Sequence, residues 1–481
     1  MHFIDISIFV LYIIAMLGVG VYFLKRNKNS EDYYVGGRSM GPWHIGLSVV
    51  ATDVGGGFSI GLGGLGFIMG LSGSWMLFTG LIGAWLSAVV LIPKIYNLSS
   101  KHKFYTFPEV FNHFYNKRVA LIAAFISGIG YIGFSSSQLL AGAKLASATF
   151  PELTLNTALL IMGILAVVYT GLGGLKAVIY TDTIQWIILL LGLIFIGIPV
   201  SYFKIGGYQG IMEHIPERFF SLAHVKWQQL VNWAVTIIPI WFVGMTLYQR
   251  IYASKGEKEA KKAWFIAGLF EWPVMAFMGV ILGLFSRVAF ENGMFDYLGY
   301  NTMETFDAEM GLPLLLSHIL PIGLMGLMMS AYFSAILSTA DSCLMAASGN
   351  FQKDIIEGWF NYKASTKGKL VFSQIVTIVI GLLAIFLASK MQNVLELMLY
   401  SYAFMVSGLF VPLVAALWMK RTSTIAAMVS MISGGFITIF LIIAEWKLPF
   451  NLDPNIFGIS SAAILFFLFH FITSKTLKQK I

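Results

Sequence analysis

The sequence predicts an all-α polytopic membrane protein, and three observations predict it. Apolar runs of membrane-crossing length recur from one end to the other, charge is scarce, and two of the runs are interrupted by glycine beside polar residues. Hydrophobic residues are 58% of the 481 and charged ones 11%, a balance outside the range of soluble domains. A helix needs about 20 apolar residues to cross the hydrocarbon. Runs of this kind fall near 4–24, 42–70, 74–93, 119–148, 153–172, 175–200, 227–249, 263–289, 313–346, 370–389, 393–418, 423–445 and 455–473, about thirteen helices in all.

The first run, Ile4 to Leu24, has no basic segment before it and no small-residue cleavage site, and Lys25-Arg26-Asn27-Lys28 follows it. It reads as a span rather than a leader. The basic residues then set the orientation. With the N-terminus outside and the C-terminus inside, all but seven of the 31 lysines and arginines fall in inner loops, the exceptions being Lys144, Lys204, Arg218, Lys226, Arg287, Lys390 and Lys447. The Glu291 to Glu309 stretch, with acidic residues as its only charges, lies on the outer side. Two successive units of five helices must then face opposite ways, which suits an inverted repeat. The division is 1–41 (leading helix and inner loop), 42–200 (first unit), 201–226 (outer loop), 227–418 (second unit) and 419–481 (two trailing helices and a short tail). The leading helix of each unit has a weak middle, Gly55-Gly56-Gly57 in one and Gly244-Met245-Thr246 in the other. Paired interrupted helices point to a binding site between halves.

Several classes drop out. The net charge of +8 sits in short loops and reads as a topology signal, so no nucleic-acid partner is expected. Cys343 is the only cysteine, and the eight histidines are scattered without metal-ligand spacing. No activated nucleophile appears, so the chain does not read as an enzyme. The partners expected are the bilayer of the cell membrane, a small-molecule substrate and an ion.

Three stretches carry the chemistry. In Ala51-Thr52-Asp53-Val54-Gly55-Gly56-Gly57 a carboxylate and three glycines lie inside an apolar run. A charge at mid-membrane costs roughly 2.5–3.5 kcal/mol on insertion scales, so Asp53 needs protein, water or an ion. Glycine lets the helix unwind, and freed carbonyls are tolerable in a membrane only where they meet a ligand, water or protein. A glycine-rich helix contact is the plainer alternative. In Ser334 to Ser342, residues Ala335, Ser338, Thr339 and Ser342 share one helix face. That stripe offers hard oxygens to an alkali cation, or else it is a close-packed interface whose hydroxyls bond back to the preceding turn. In Gly173 to Gln185, Asp182 sits about two turns inside a span and needs a partner, with Asp341, Ser342 or a cation as candidates. No arginine is expected deep in any span, since Arg250 reads as an inner-loop residue.

These stretches, with Asp32-Tyr33-Tyr34-Val35-Gly36-Gly37-Arg38 and Tyr248-Gln249-Arg250, resemble the sodium:solute symporter family over essentially the whole chain. The resemblance implies a LeuT-type fold of inverted five-helix repeats and sodium-driven uptake by alternating access. It implies a main sodium site on backbone oxygens of Ala51, Val54 and Ala335 and the hydroxyls of Ser338 and Thr339. Members resembling sialic acid transporters imply a second sodium site at Asp182, Ser338, Asp341 and Ser342, where this chain has aspartate in place of a serine at 341. A second carboxylate there either tightens the site or is protonated and leaves it empty. Asp53 matches the aspartate of sodium/proline symporters, while the following glycines look like those of choline transporters. The latter carry tryptophans where Asp53 and Gly244 stand, so the cation–π cage that would hold choline is missing two walls.

Candidate substrate residues are Asp53, Phe58, Ser59, Trp75, Thr79, Gln138, Thr246 and Tyr248, with Tyr131, Trp241, Tyr400 and Tyr402 nearby in kind. Glu271, beside Trp272-Pro273, and Glu396 are further membrane carboxylates. The function expected is sodium-coupled import of a small solute, a proline-like amino acid or other zwitterion first. The alternatives are a proton-coupled carrier, a sodium symporter for a sugar, pantothenate or a monocarboxylate, and, less favoured, a channel or sensor.

Overall fold

The computed structural model describes residues 2–26, 35–53, 55–300, 302–360 and 366–478, and its regular elements are helices. In chain order the principal ones are α1 (Phe3–Arg26), α2 (Pro42–Asp53), α3 (Gly55–Met69), α4 (Trp75–Val90), α5 (Lys117–Thr149) and α6 (Leu155–Gly192). The second half holds α7 (Trp227–Val243), α8 (Met245–Ala253), α9 (Glu257–Leu269), α10 (Ala276–Glu291), α11 (Ala308–Ile319) and α12 (Leu324–Gly349). It ends with α13 (Thr366–Ala388), α14 (Val394–Trp418), α15 (Thr424–Ala444) and α16 (Pro454–Lys478). Among the described residues eight helices are long and apolar enough to cross a membrane, or nine if the bent pair α7 and α8 is one span. Three shorter apolar helices, Phe3–Met16, Leu155–Val168 and Gln374–Ala388, lie where further spans were expected. The runs at 153–172 and 175–200 join through Gly173 and Gly174 in the single helical stretch α6. Glycine weakens a helix but keeps its N–H, so the ladder can continue where proline would stop it.

Helix α12 is the centre of the bundle. Its apolar stretch is 94% buried inside the protein, against 17% for α16, which presents its apolar side chains outward. The start of α12 is fixed by α1: the Asp5 carboxylate accepts from the Gly323 and Gly326 amides at 2.7 and 2.9 Å, satisfying two amides that a helix start leaves open. Helices α3 and α10 cross with backbones touching, and a Cβ on Gly283 would run into the Gly63 backbone. Small residues allow this approach, which dispersion then rewards.

Both interrupted helices are broken where the sequence was weak. The first break separates Asp53 from Gly55, and Gly55 has φ +51°, a left-handed value that glycine adopts without penalty. The second is at Gly244, whose extended backbone (φ −69°, ψ 114°) bends α7 from α8 by 43°. The chain just before α2 pairs with the chain just after α8: Met40 N–H donates to Ala253 O at 3.0 Å and Lys255 N–H to Met40 O at 3.1 Å.

Candidate functional site

Helix α5 satisfies one amide at each break. The Gly57 amide donates to Gln138 Oε1 at 3.0 Å, and the Thr246 amide donates to Tyr131 Oη at 3.1 Å. Tyr131 and Gln138 are seven residues apart and so share one face of α5. On the far side of the second break the Tyr248 hydroxyl donates to Phe242 O at 2.8 Å, closing a carbonyl that the break frees.

Against the first break lies the stripe of α12. Thr339 Oγ1 is 2.8 Å from Ala51 O and 3.0 Å from Ala335 O, so these three oxygens meet at one point. Ser338, the fourth described member of the expected sodium set, turns its hydroxyl away to the Asp182 carboxylate. Val54 lies outside the described residues.

Asp182 is the hub of a second constellation. Its carboxylate accepts from Ser338 and, at 2.5 Å, from Ser48. Facing it is Arg250, entirely buried, with Nη2 at 3.7 Å from Asp182, 2.7 Å from Thr52 Oγ1 and 2.9 Å from Ser342 Oγ. Two further bonds reach Ser48, and Nη1 donates to Thr246 O at 3.4 Å. This corrects the expectation that no arginine lies deep in the bundle. Arg250 looked like a loop residue because Lys255 and the charged run to Lys262 follow it closely. But α8 begins only after the break, and its side chains at 246 and 250, one turn apart, lean toward the N-terminal end of the helix. The guanidinium thus stands among Asp182 and Ser342, where a second sodium ion was expected. Asp341, also expected there, accepts instead from Thr170 of α6.

Asp53 closes α2 and is buried, with the Tyr402 hydroxyl of α14 at 3.3 Å. Its other neighbour is the Glu271 carboxyl, carried on a widened turn (Phe270–Met275) that contains Pro273 and links α9 to α10. The sequence singled out both carboxylates but could not pair them.

The remaining substrate candidates divide. Gln138 and Thr246 belong to the site through the two breaks. Ser59 donates to Gly55 O, Thr79 to Met76 O and Trp75 Nε1 to Leu222 O, so those polar atoms serve backbone. The Phe58 side chain and residues Asp32 to Tyr34 lie outside the described residues. A cavity of about 960 Å³ opens between α3, α7 and α14, with Gly61, Trp233, Glu309, Tyr400 and Ala403 in its wall. Its rim is tied by Lys144, which reaches Asp307 at 2.5 Å and Glu309 at 2.7 Å, while Glu309 caps α14 by accepting from the Val394 and Leu395 amides.

Residues 33–434 match the sodium:solute symporter family. The sodium/proline symporter of Escherichia coli (strain K12) is 26% identical over 464 residues, 94% of this chain and 90% of that protein. The sodium/glucose cotransporter of Vibrio parahaemolyticus is 25% identical over 487 residues, 94% of this chain and 87% of that protein. The solved structure of a Na+-coupled sialic acid symporter in a substrate-bound, outward-open state superposes with a TM-score of 0.78 at 23% identity, covering 96% of this chain and 97% of that one. The two share a fold.

Proposed function

The chain belongs to the sodium:solute symporter family, and from that premise we propose that it imports a small zwitterionic solute, a proline-like amino acid first, driven by sodium across the cell membrane. One observation carries the sodium half of the reading: a helix break presents Ala51 O to Ala335 O and Thr339 Oγ1, the hard oxygen set that an alkali cation prefers. Val54 O and the Ser338 hydroxyl, once turned from Asp182, complete it in this reading. Alternating access between the 42–200 and 227–418 units, an outside N-terminus, an inside C-terminus and about thirteen helices belong to the same proposal.

Relatives named for proline and for glucose match at 26% and 25%, so the choice of solute rests on the site. A site with buried carboxylates and an already committed arginine suits a solute that carries positive charge. Arg250 is held by Asp182, Ser48, Thr52 and Ser342 and so is not free to clamp an anionic sugar acid or dicarboxylate. The same guanidinium supports a cycle with no second sodium at Asp182 and Ser342, since a fixed cation there repels a mobile one.

Uptake into proteoliposomes made with the purified chain tests the reading, with amino acids, glucose, pantothenate and monocarboxylates as solutes. Proline-like solutes should accumulate under an inward sodium gradient and not under an equal potassium gradient. Accumulation that follows an imposed proton gradient without sodium would replace sodium by protons as the driving ion, and a glucose-only response would replace the solute.

A further inference from the structure

We propose that segment 103–107, between the short helices Ile92–His102 and Pro108–Phe114, is the bolt that closes the inner side of the bundle, and that Thr106 is the residue through which it holds. The inference rests on the proposed alternating access and deepens it by naming the contact that must part before the inner path opens.

The two helix breaks divide the bundle into two ends. The cavity of about 960 Å³ lies at one end, walled by Gly61, Leu65 and Met69 of α3 and by Gln229 and Trp233 of α7. Helices α2 and α8 lie on the other side of the breaks, and at that end three elements meet on one loop. Arg38, just before α2, donates from Nη2 to Phe104 O at 2.7 Å, and its guanidinium lies 5.8 Å from the centre of the Tyr105 ring. Tyr252, in the last turn of α8, donates its hydroxyl to Thr106 O at 3.4 Å. Asp354, on the widened turns Asn350–Trp359 that continue α12, accepts from Thr106 Oγ1 at 2.9 Å. The Phe107 ring packs on Tyr248 of α8, with centroids 4.5 Å apart. Phe104, Thr106 and Phe107 are buried.

The loop is held in a shape that its own residues do not favour. Lys103 leaves the preceding helix at φ 55°, a left-handed value uncommon without glycine. Glu109 then accepts from the Tyr105 and Thr106 amides at 2.6 and 2.9 Å, which leaves the Thr106 carbonyl to α8 and its hydroxyl to the extension of α12. Helices α2, α8 and α12 also carry the Ala51 and Thr339 oxygens and the Arg250 guanidinium, so a path from those groups to the inner side runs between their ends. Arg250 and Asp182 close that path with an ion pair, whose separation strands a buried charge. Thr106 closes it with one hydroxyl bond on each side, and bonds of this kind exchange with water at little net cost. The bolt is therefore the part of the closure that releases and reseals on each cycle.

Cys343, the chain's only cysteine, is buried on α12 one turn beyond Thr339 on the same helix face, toward the Asn350–Trp359 end. Its reaction with a membrane-impermeant trimethylammonium methanethiosulfonate reads the opening directly. The full-length protein is treated in inside-out and in right-side-out vesicles and the modified fraction is read by mass after purification, with Cys343→Ala as the background. Thr106→Val combined with Tyr252→Phe should raise the rate from the inner face at least fivefold and leave the rate from the outer face within twofold. Thr106→Ser, which keeps the hydroxyl, should stay within twofold of the parent on both faces. If the double variant does not fold, Tyr252→Phe alone decides, with a threefold rise from the inner face as its threshold. A smaller rise, an equal rise on both faces, a rise on the outer face alone, or a Thr106→Ser protein as open as the double variant overturns the proposal. The readout needs no solute, so it is independent of the uptake assay: a parent that accumulates no solute under any gradient overturns the proposed function and leaves the modification rates to decide the bolt.

Discussion

Two aspartates sit deep in this bundle, and the protein treats them in opposite ways. Asp182 is surrounded by donors, with hydroxyls from Ser48 and Ser338 and a guanidinium at 3.7 Å. Asp53 has one tyrosine hydroxyl and another carboxyl. A buried carboxylate needs positive charge from somewhere, and where the chain itself supplies it, as with Arg250, the result is a fixed strut between α6, α8, α12 and α2. Where the chain supplies no lysine or arginine, as at Asp53 among the described residues, the carboxylate is left with a tyrosine hydroxyl and a second acid beside it. Burial and type alone do not tell the two apart, since both residues are aspartates inside apolar runs.

The sharpest way to break the comparison is to remove the strut. Arg250→Met should strand Asp182 and cost about 3–5 kcal/mol, seen as a large drop in melting temperature or loss of folded protein, and Asp182→Asn in the same chain should restore most of it. An Arg250→Met protein as stable as the parent would mean that the strut carries no load and that the contrast with Asp53 is empty.

Next in size is the sodium response. A ligand that binds only the folded state stabilises it by about 2.7 kcal/mol at a hundredfold excess over Kd. Ser338→Ala with Thr339→Ala should abolish that sodium-specific stabilisation in a thermal titration, with potassium as control. Equal stabilisation of variant and parent would remove the α12 stripe from the sodium position.

A third measurement asks whether the Asp182 position is indeed filled by the chain. Asp182→Asn should lower stability yet leave the steepness of uptake against sodium concentration unchanged, because no mobile ion is lost. A flattened curve in the variant would show that sodium, and not only Arg250, had been sitting there.

The smallest effects belong to the two breaks themselves. Tyr131→Phe leaves the Thr246 amide without its acceptor, and Gln138→Leu does the same to the Gly57 amide. Each should cost about 1–3 kcal/mol, the range for a buried group left unsatisfied, read from chemical or thermal unfolding. If only one of the two costs anything, the breaks are not equivalent supports.

The sequence by itself determined a good deal of this. Spans follow from apolar run length, the break near Asp53 from three successive glycines, and the stripe of Ala335, Ser338, Thr339 and Ser342 from helical spacing, because all of these are properties of a chain with its neighbours a few residues away. The tertiary structure decided which carboxylate meets which partner. Arg250 looked like a loop charge until the bend at Gly244 turned its side chain back into the bundle, and Glu271 looked like a lone acid beside a proline until α9 and α10 packed it against Asp53 and Gly80. Pairings of this kind depend on the rotation and tilt of helices far apart in the chain. Those are set by how whole surfaces interlock, and no local pattern of residues records them.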